Sequence, residues 1–183
     1  MDSLVIVDCQ HDFIDGSLAC GHGAEAVARI IDFLNTHEVK ALYTSDWHSQ
    51  ENRSFKVNGG IWPVHCVAGT KGASLDERFA RDVKEKGNRP SKENVFLKGK
   101  DDFVEEYSAF NGETETGVAL KDELTPHVYV AGIATEFCVK ETVLAILAAG
   151  HSVTLLKDGL GRVDEKGHEE TLAELAAKGV ELL

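Results

Sequence analysis

The amino-acid sequence predicts a doubly wound α/β fold, a six-stranded and mainly parallel sheet with helices on both faces. Three observations carry this expectation. Six short β-rich runs recur along the chain, and segments with helical spacing of apolar residues fall between them. The runs are also near-continuously apolar, as strands covered on both faces are.

The first run is Leu4 to Val7, and after it Val27, Ile30, Ile31 and Leu34 stand at i, i+3, i+4 and i+7. That spacing places all of them on one face of a helix covering the sheet. Ala41 to Ser45 is the second strand. The stretch from Asp46 to about Gly72 has few regular periods and is rich in Gly, Ser, His and Trp, and a loop of such length tends to be functional. Val95 to Leu97 and Val128 to Ala131 are the third and fourth strands. Val139, Thr142, Val143 and Ile146 then repeat the helical spacing up to Gly150, a good helix-terminating residue. Val153 to Leu156 is the fifth strand, Leu172 with Leu175 and Ala176 marks a last helix, and Val180 to Leu183 is the sixth.

With 183 residues, 43% hydrophobic and 27% charged, the chain is expected to form a single domain over 1–183. Its three prolines, Pro63, Pro90 and Pro126, are scattered, and no repeat or linker marks a second boundary. A net charge of -12 with no basic cluster repels polyanions, so neither nucleic acid nor an anionic membrane is an expected partner. No run approaches the ~18 apolar residues of a membrane span. Met1-Asp2-Ser3 leads into the first strand without a basic segment, which points to a cytoplasmic enzyme or binding protein. The four cysteines, Cys9, Cys20, Cys66 and Cys138, lack CxxC pairing and are expected as free thiols in a reducing compartment.

Ligands of open α/β sheets bind outside the carboxyl ends of the strands, so the polar residues there come first. Asp8 follows the first strand, Asp46 and His48 the second, and Lys98 the third, while Cys138 opens the helix after the fourth. A thiol at a helix N-terminus feels the positive end of the dipole, which makes Cys138 the candidate nucleophile, with a lowered pKa. Asp8 supplies a proton acceptor and Lys98 a counter-charge, completing a Cys-Asp-Lys triad. Read alone, Asp8 could equally be a turn carboxylate and Lys98 a solvated side chain; their joint placement argues otherwise. Asp46 and His48, with His65 beyond, offer oxygen and nitrogen donors suited to Zn²⁺, Mn²⁺ or Fe²⁺ and leave coordination positions open.

Five blocks in order carry a resemblance: Asp8 to Phe13 (DCQHDF), Asp46-Trp47-His48, Gly60 to Cys66 (GIWPVHC), Lys98-Gly99, and Gly132 to Val139 (GIATEFCV). As an ordered set they resemble the nicotinamidase and pyrazinamidase group of the isochorismatase-like cysteine hydrolases, over essentially the whole chain. The resemblance implies Asp8, Lys98 and Cys138 as catalytic residues and Asp46, His48 and His65 as ligands of one divalent metal, zinc first, with iron or manganese as alternatives. It implies a cis peptide before Ala134 and an oxyanion hole built from the backbone N–H groups of Ala134 and Cys138. Phe13, Trp62 and Tyr107 match aromatic positions lining the substrate pocket, although Phe13 is equally readable as core. Asn52-Arg53-Ser54-Phe55 stands where some members place a fourth ligand, His or Glu, so three protein ligands plus water are expected. Glu136 replaces a frequent Asp. The implied activity is hydrolysis of nicotinamide, and of pyrazinamide, to the acid and ammonia in NAD salvage. The competing readings are another amidohydrolase or an isochorismatase of the same fold, and a non-catalytic metal-binding or interaction protein; the sequence leaves a homo-oligomer open.

Overall fold

In β1 (Asp2–Val7) successive side chains point to opposite sides of the sheet, and from Leu4 to Val7 the sequence supplies an apolar residue at every position, all of them buried. Leu4 and Ile6 enter one hydrophobic layer, Val5 and Val7 the other. This two-sided burial is why the run reads as continuously apolar rather than alternating. The computed structural model describes residues 1–183. Beyond β1 the strands are β2 (Val39–Asp46), β3 (Val95–Lys98), β4 (His127–Gly132), β5 (Ser152–Leu160) and β6 (Glu181–Leu182). They form one six-stranded sheet in the order β3-β2-β1-β4-β5-β6. Every neighbouring pair is parallel, so the expected mainly parallel sheet is wholly so.

The helices are α1 (His11–Ile14), α2 (Gly23–Thr36), α3 (Arg78–Asp82), α4 (Leu120–Glu123), α5 (Lys140–Ala148) and α6 (Glu165–Ala177). α2 buries Val27, Ile30, Ile31 and Leu34, the stripe read from the sequence, against the layer that contains Leu4, Ile6 and Tyr43, with Ala26 buried beside them. Val143 and Ile146 of α5, with Leu172 and Leu175 of α6, pack on the opposite layer beside Val5, Val128 and Val153. Helices therefore cover both faces. β5 runs four residues beyond the sequence expectation, to Leu160, and β6 shrinks to two residues at the sheet edge. No helix is long and apolar enough to cross a membrane.

The strand order positions the site. The chain winds from β1 outward to β3, then returns to lay β4 beside β1 and winds the other way. Loops leaving β1 and β4 diverge to opposite faces, which opens a crevice at their carboxyl ends. Gly132 makes the close approach possible: its φ is +125°, and a β-carbon there would sit 2.1 Å from the Val7 carbonyl oxygen. The irregular stretch after β2 contains only one helical turn, Lys56–Asn58, and is anchored by isolated bridges pairing His48 with Val67 and Phe55 with Trp62.

Candidate active site

Asp8, the first residue past β1, adopts φ 46°, a left-handed conformation that aspartate tolerates better than most residues. The turn carries its fully buried carboxylate under the crevice, where the Thr44 hydroxyl donates to Oδ1 at 2.6 Å. Asp46 and Lys98 are the last residues of β2 and β3 rather than residues beyond them, and they are register partners. That register brings Lys98 Nζ to 2.5 Å from Asp46 Oδ1 and 3.0 Å from Asp8 Oδ2. The same nitrogen lies 3.5 Å from Cys138 Sγ and donates to the Glu106 carbonyl at 3.2 Å. Asp8 Oδ2 is ion-paired with Lys98 yet poorly aligned for a hydrogen bond, so it is a buried oxygen with a free lone pair. A carboxylate oxygen of Asp8, one of Asp46 and Cys138 Sγ all lie within 4.8 Å of one another.

These charges are strongly linked. Burial favours a neutral Lys98 amine, but Asp46, Asp8 and the Cys138 sulfur outweigh it and hold the ammonium well above its ordinary value. Burial also pushes the Asp46 carboxyl up, yet Lys98 and His48 carry it well below the usual carboxylate range. For Asp8 burial wins: its pKa is raised despite Lys98, with Asp46 adding to the rise.

The sequence expectation of a lowered Cys138 pKa is reversed. Burial pushes the thiol well above its ordinary value, Lys98 pulls it down, and the Asp8 and Asp46 charges push it further up. Cys138 is the fourth residue of a π-helical turn, Thr135–Val139, that precedes α5, so it does not open a regular helix. A dipole contribution there is outweighed by desolvation. Cys138 therefore rests as a thiol with the Asp8 and Asp46 carboxylates close by.

Asp46, His48 and His65 present a carboxylate oxygen and two imidazole nitrogens within 4.8 Å of one another. His48 Nδ1–H donates to the Gly99 carbonyl at 2.7 Å and His65 Nδ1–H to the Pro63 carbonyl at 2.8 Å. Both Nε2 lone pairs are thereby directed inward, 3.4 Å and 3.9 Å from Asp46 Oδ2. This donor set, with its backbone-oriented imidazoles, fits a divalent cation. Ser54 Oγ, on the wall of the same cleft, is a buried oxygen without a protein partner. Among the protonation states, Asp46 holds His48 above its ordinary value against burial, whereas burial prevails at His65 and lowers it.

A cleft of about 530 Å³ opens over these groups, lined by Asp46, His48, His65 and Cys138 on its polar side. Phe13, Trp62 and Tyr107 all line it, as does Ala134 after the cis Ile133–Ala134 peptide. Phe13 is only 7% exposed and belongs to the hydrophobic core as well as to the cleft wall. The Trp62 indole N–H donates to Tyr107 Oη at 3.1 Å, and Trp62 meets the Phe137 ring edge to face at 5.0 Å. The structure thus brings every sequence-predicted site residue to one place.

Sequence reasoning missed the residues that hold this arrangement. The Gln10 side chain donates to the Asp46 carbonyl at 2.8 Å and accepts from the Asp46 N–H at 2.8 Å, clamping the end of β2. Asp12 accepts from Cys66 N–H at 2.7 Å beside His65. The Glu136 carboxylate accepts from the Val163 and Asp164 N–H groups and fixes another wall of the cleft. Gln10 and Asp12 lay inside the motif blocks, which was their only signal, whereas Glu136 stands in place of a frequent Asp but fell outside the expected site. Phe137 lay inside the last block and Ser54 in the segment compared for a fourth ligand, while Thr44 had no signal of its own.

A parallel α/β sheet with a buried thiol, carboxylate and ammonium at its switch point defines a hydrolase-like site, and comparison with known proteins agrees. The chain belongs to the isochorismatase family: the Isochorismatase domain matches residues 2–183. It is 31% identical over 206 residues to the nicotinamidase of Escherichia coli, covering 98% of this chain and 93% of that protein. Among solved structures it resembles the pyrazinamidase of Pyrococcus horikoshii in complex with zinc, with a TM-score of 0.81, 30% identity and coverage of 99% and 97%. It also resembles PnC1 of L. infantum in complex with nicotinate, with a TM-score of 0.84, 32% identity and coverage of 100% and 92%.

Proposed function

We propose that this chain is a cysteine amidohydrolase acting in NAD salvage, converting nicotinamide to nicotinate and ammonia and taking pyrazinamide as a second substrate, all within one domain. The observation that carries the reading is the convergence of Cys138, Asp8 and Lys98 behind a cleft that also presents Asp46, His48 and His65.

The aromatic side chains of Phe13, Trp62 and Tyr107 receive the flat pyridine ring and exclude water from it. A divalent ion held by Asp46, His48 and His65 would supply Lewis-acid anchoring of the ring nitrogen; zinc suits these donors best, and iron and manganese accept them too. Asp8 Oδ2 takes the thiol proton as Cys138 Sγ attacks the carboxamide carbon, and the C=O π pair moves onto oxygen. The Ala134 and Cys138 N–H groups receive that oxyanion, and the Ala134 N–H donates to no protein acceptor. Asp8 then returns its proton to the leaving nitrogen, the C–N bond breaks and ammonia departs. Water attacks the remaining thioester with Asp8 again as base, the C–S bond breaks, and the thiol is restored. Lys98 stays protonated and offsets the charge passing between Asp8 and Cys138.

Metal-loaded protein is expected to release ammonia from nicotinamide and to lose that activity on chelation, while benzamide, which lacks the ring nitrogen, turns over poorly whether or not metal is present. Nicotinamide hydrolysis that survives complete metal removal would refute the anchoring role.

A second outcome follows from Gly99, whose φ is +70° and whose added β-carbon would lie 2.5 Å from His48 Cε1 and 2.9 Å from its Nδ1. Gly99→Ala should displace His48 and lower metal affinity by about 10- to 100-fold, the range typical for disturbing a ligand's hydrogen-bond partner. Metal titration of the folded variant checks this, and unchanged affinity contradicts the assignment of His48.

A further inference from the structure

The mechanism above makes no use of His168, a histidine of α6 that is 5% exposed and lies outside every motif block. Its Nδ1 is 2.9 Å from Thr135 Oγ1, and Thr135 opens the turn that carries Cys138. Thr135 is fully buried, and both its N–H and its hydroxyl donate to the Gly161 carbonyl, at 2.9 and 3.0 Å. The threonine proton is therefore committed to Gly161, and the contact with His168 is satisfied when the imidazole carries its proton on Nδ1 and donates. Burial and the Arg162 guanidinium hold this imidazole below its ordinary value against Glu165, Glu169 and Glu136. A single ring proton at neutral pH matches that hydrogen-bond pattern.

We propose that His168 is a positioning residue for the nucleophile turn, fixing Thr135 and through it the Ala134 and Cys138 backbone donors that meet the developing oxyanion. The helix it comes from is itself secured: Asp164 caps α6 by accepting from Gly167 N–H at 2.9 Å, and Glu136, next in the turn, accepts from Asp164 N–H at 2.9 Å. The turn is thus held to the start of α6 at two neighbouring residues, one contact through a carboxylate and one through an imidazole. Because donors aimed at an oxyanion contribute only when that charge forms, a loosened turn penalises the transition state more than bound substrate. His168 would then affect kcat and leave nicotinamide binding almost unchanged.

The inference rests on the proposed attack of Cys138 on the amide, and the test separates the two. Pyridine-3-carbaldehyde is the probe. Cys138 adds across its C=O bond, the C–S bond forms, and the thiol proton ends on the new hydroxyl oxygen, giving a tetrahedral adduct that occupies the oxyanion position. His168→Leu removes the donor, whereas His168→Asn keeps an N–H near the place of Nδ1. We expect His168→Leu to lower kcat about tenfold with KM within about twofold, to weaken aldehyde inhibition by the same factor, and to be largely rescued in His168→Asn. Thr135→Val, which removes the acceptor while keeping the shape, should reproduce the Leu result and serves in its place if that variant does not fold. Aldehyde inhibition that stays at the wild-type level in these variants overturns the proposal, as does a loss expressed in KM alone. Wild-type protein that neither hydrolyses nicotinamide nor binds the aldehyde overturns the proposed function itself.

Discussion

Cys138→Ala is expected to abolish ammonia release from nicotinamide, lowering kcat by ~10⁴-fold or more, because no other group can form the acyl intermediate. The alternatives inside the fold are poor. Cys9 and Cys66 are fully buried, and desolvation raises both thiols far above their ordinary value. Cys20 does line the cleft, but burial and Glu136 push its pKa up to about 11, and its thiol donates to the Leu18 carbonyl at 3.4 Å. No carboxylate and ammonium pair flanks it as Asp8 and Lys98 flank Cys138. The substitution removes a single buried sulfur, so the variant should lose only about 1 kcal/mol of stability and give an unchanged folded-state spectrum. Denaturant unfolding together with a steady-state assay separates lost chemistry from lost structure. Residual turnover within tenfold of wild type in folded Cys138→Ala protein would remove Cys138 from the mechanism.

Asp8→Asn has the next largest expected effect, a fall in kcat of roughly 10²- to 10⁴-fold, the usual contribution of a positioned general base. Its effect on the thiol runs in the opposite sense from simple base removal. In the wild-type site the Asp8 charge is one of the causes that raise the Cys138 pKa, whereas Lys98 lowers it. Replacing the carboxylate by an amide deletes a negative charge and leaves the ammonium 3.5 Å from sulfur, so the thiolate should form at lower pH. Alkylation of Cys138 by a small neutral reagent should therefore shift its midpoint downward even as amide hydrolysis collapses. The two readouts diverge because hydrolysis needs a proton carrier for the departing ammonia, which alkylation does not. A variant that hydrolyses nicotinamide normally, or whose alkylation midpoint rises, contradicts the role given to Asp8.

The fold was legible because burial on both sheet faces leaves a strong signature: uninterrupted apolar strands and the Val27, Ile30, Ile31, Leu34 stripe of α2. The site was legible at the same resolution, since strand ends locate reactive residues without fixing their distances. What the sequence could not express was the balance of charges. Whether a thiol is activated by a helix end or suppressed by desolvation depends on how deep it lies and how many carboxylates face it. Cys138 is 6% exposed and shares its surroundings with Asp8 and Asp46. The supporting residues were hidden for a related reason. Thr44 acts through two side-chain hydrogen bonds with Asp8, His168 through one with Thr135, and Ser54 carries an orphaned oxygen; such features leave no periodic trace in the chain.

The central claim is that nicotinamide passes through an acyl group on Cys138, and partitioning with hydroxylamine tests it directly. Hydroxylamine added during turnover competes with water: its nitrogen attacks the thioester carbon and the Cys138 sulfur leaves as thiol. The account predicts nicotinohydroxamate growing at the expense of nicotinate as hydroxylamine is raised, and neither product from Cys138→Ala. Nicotinate formed at an undiminished rate, with no hydroxamate at any hydroxylamine concentration, would mean that water attacks the amide directly and that the thioester account is wrong.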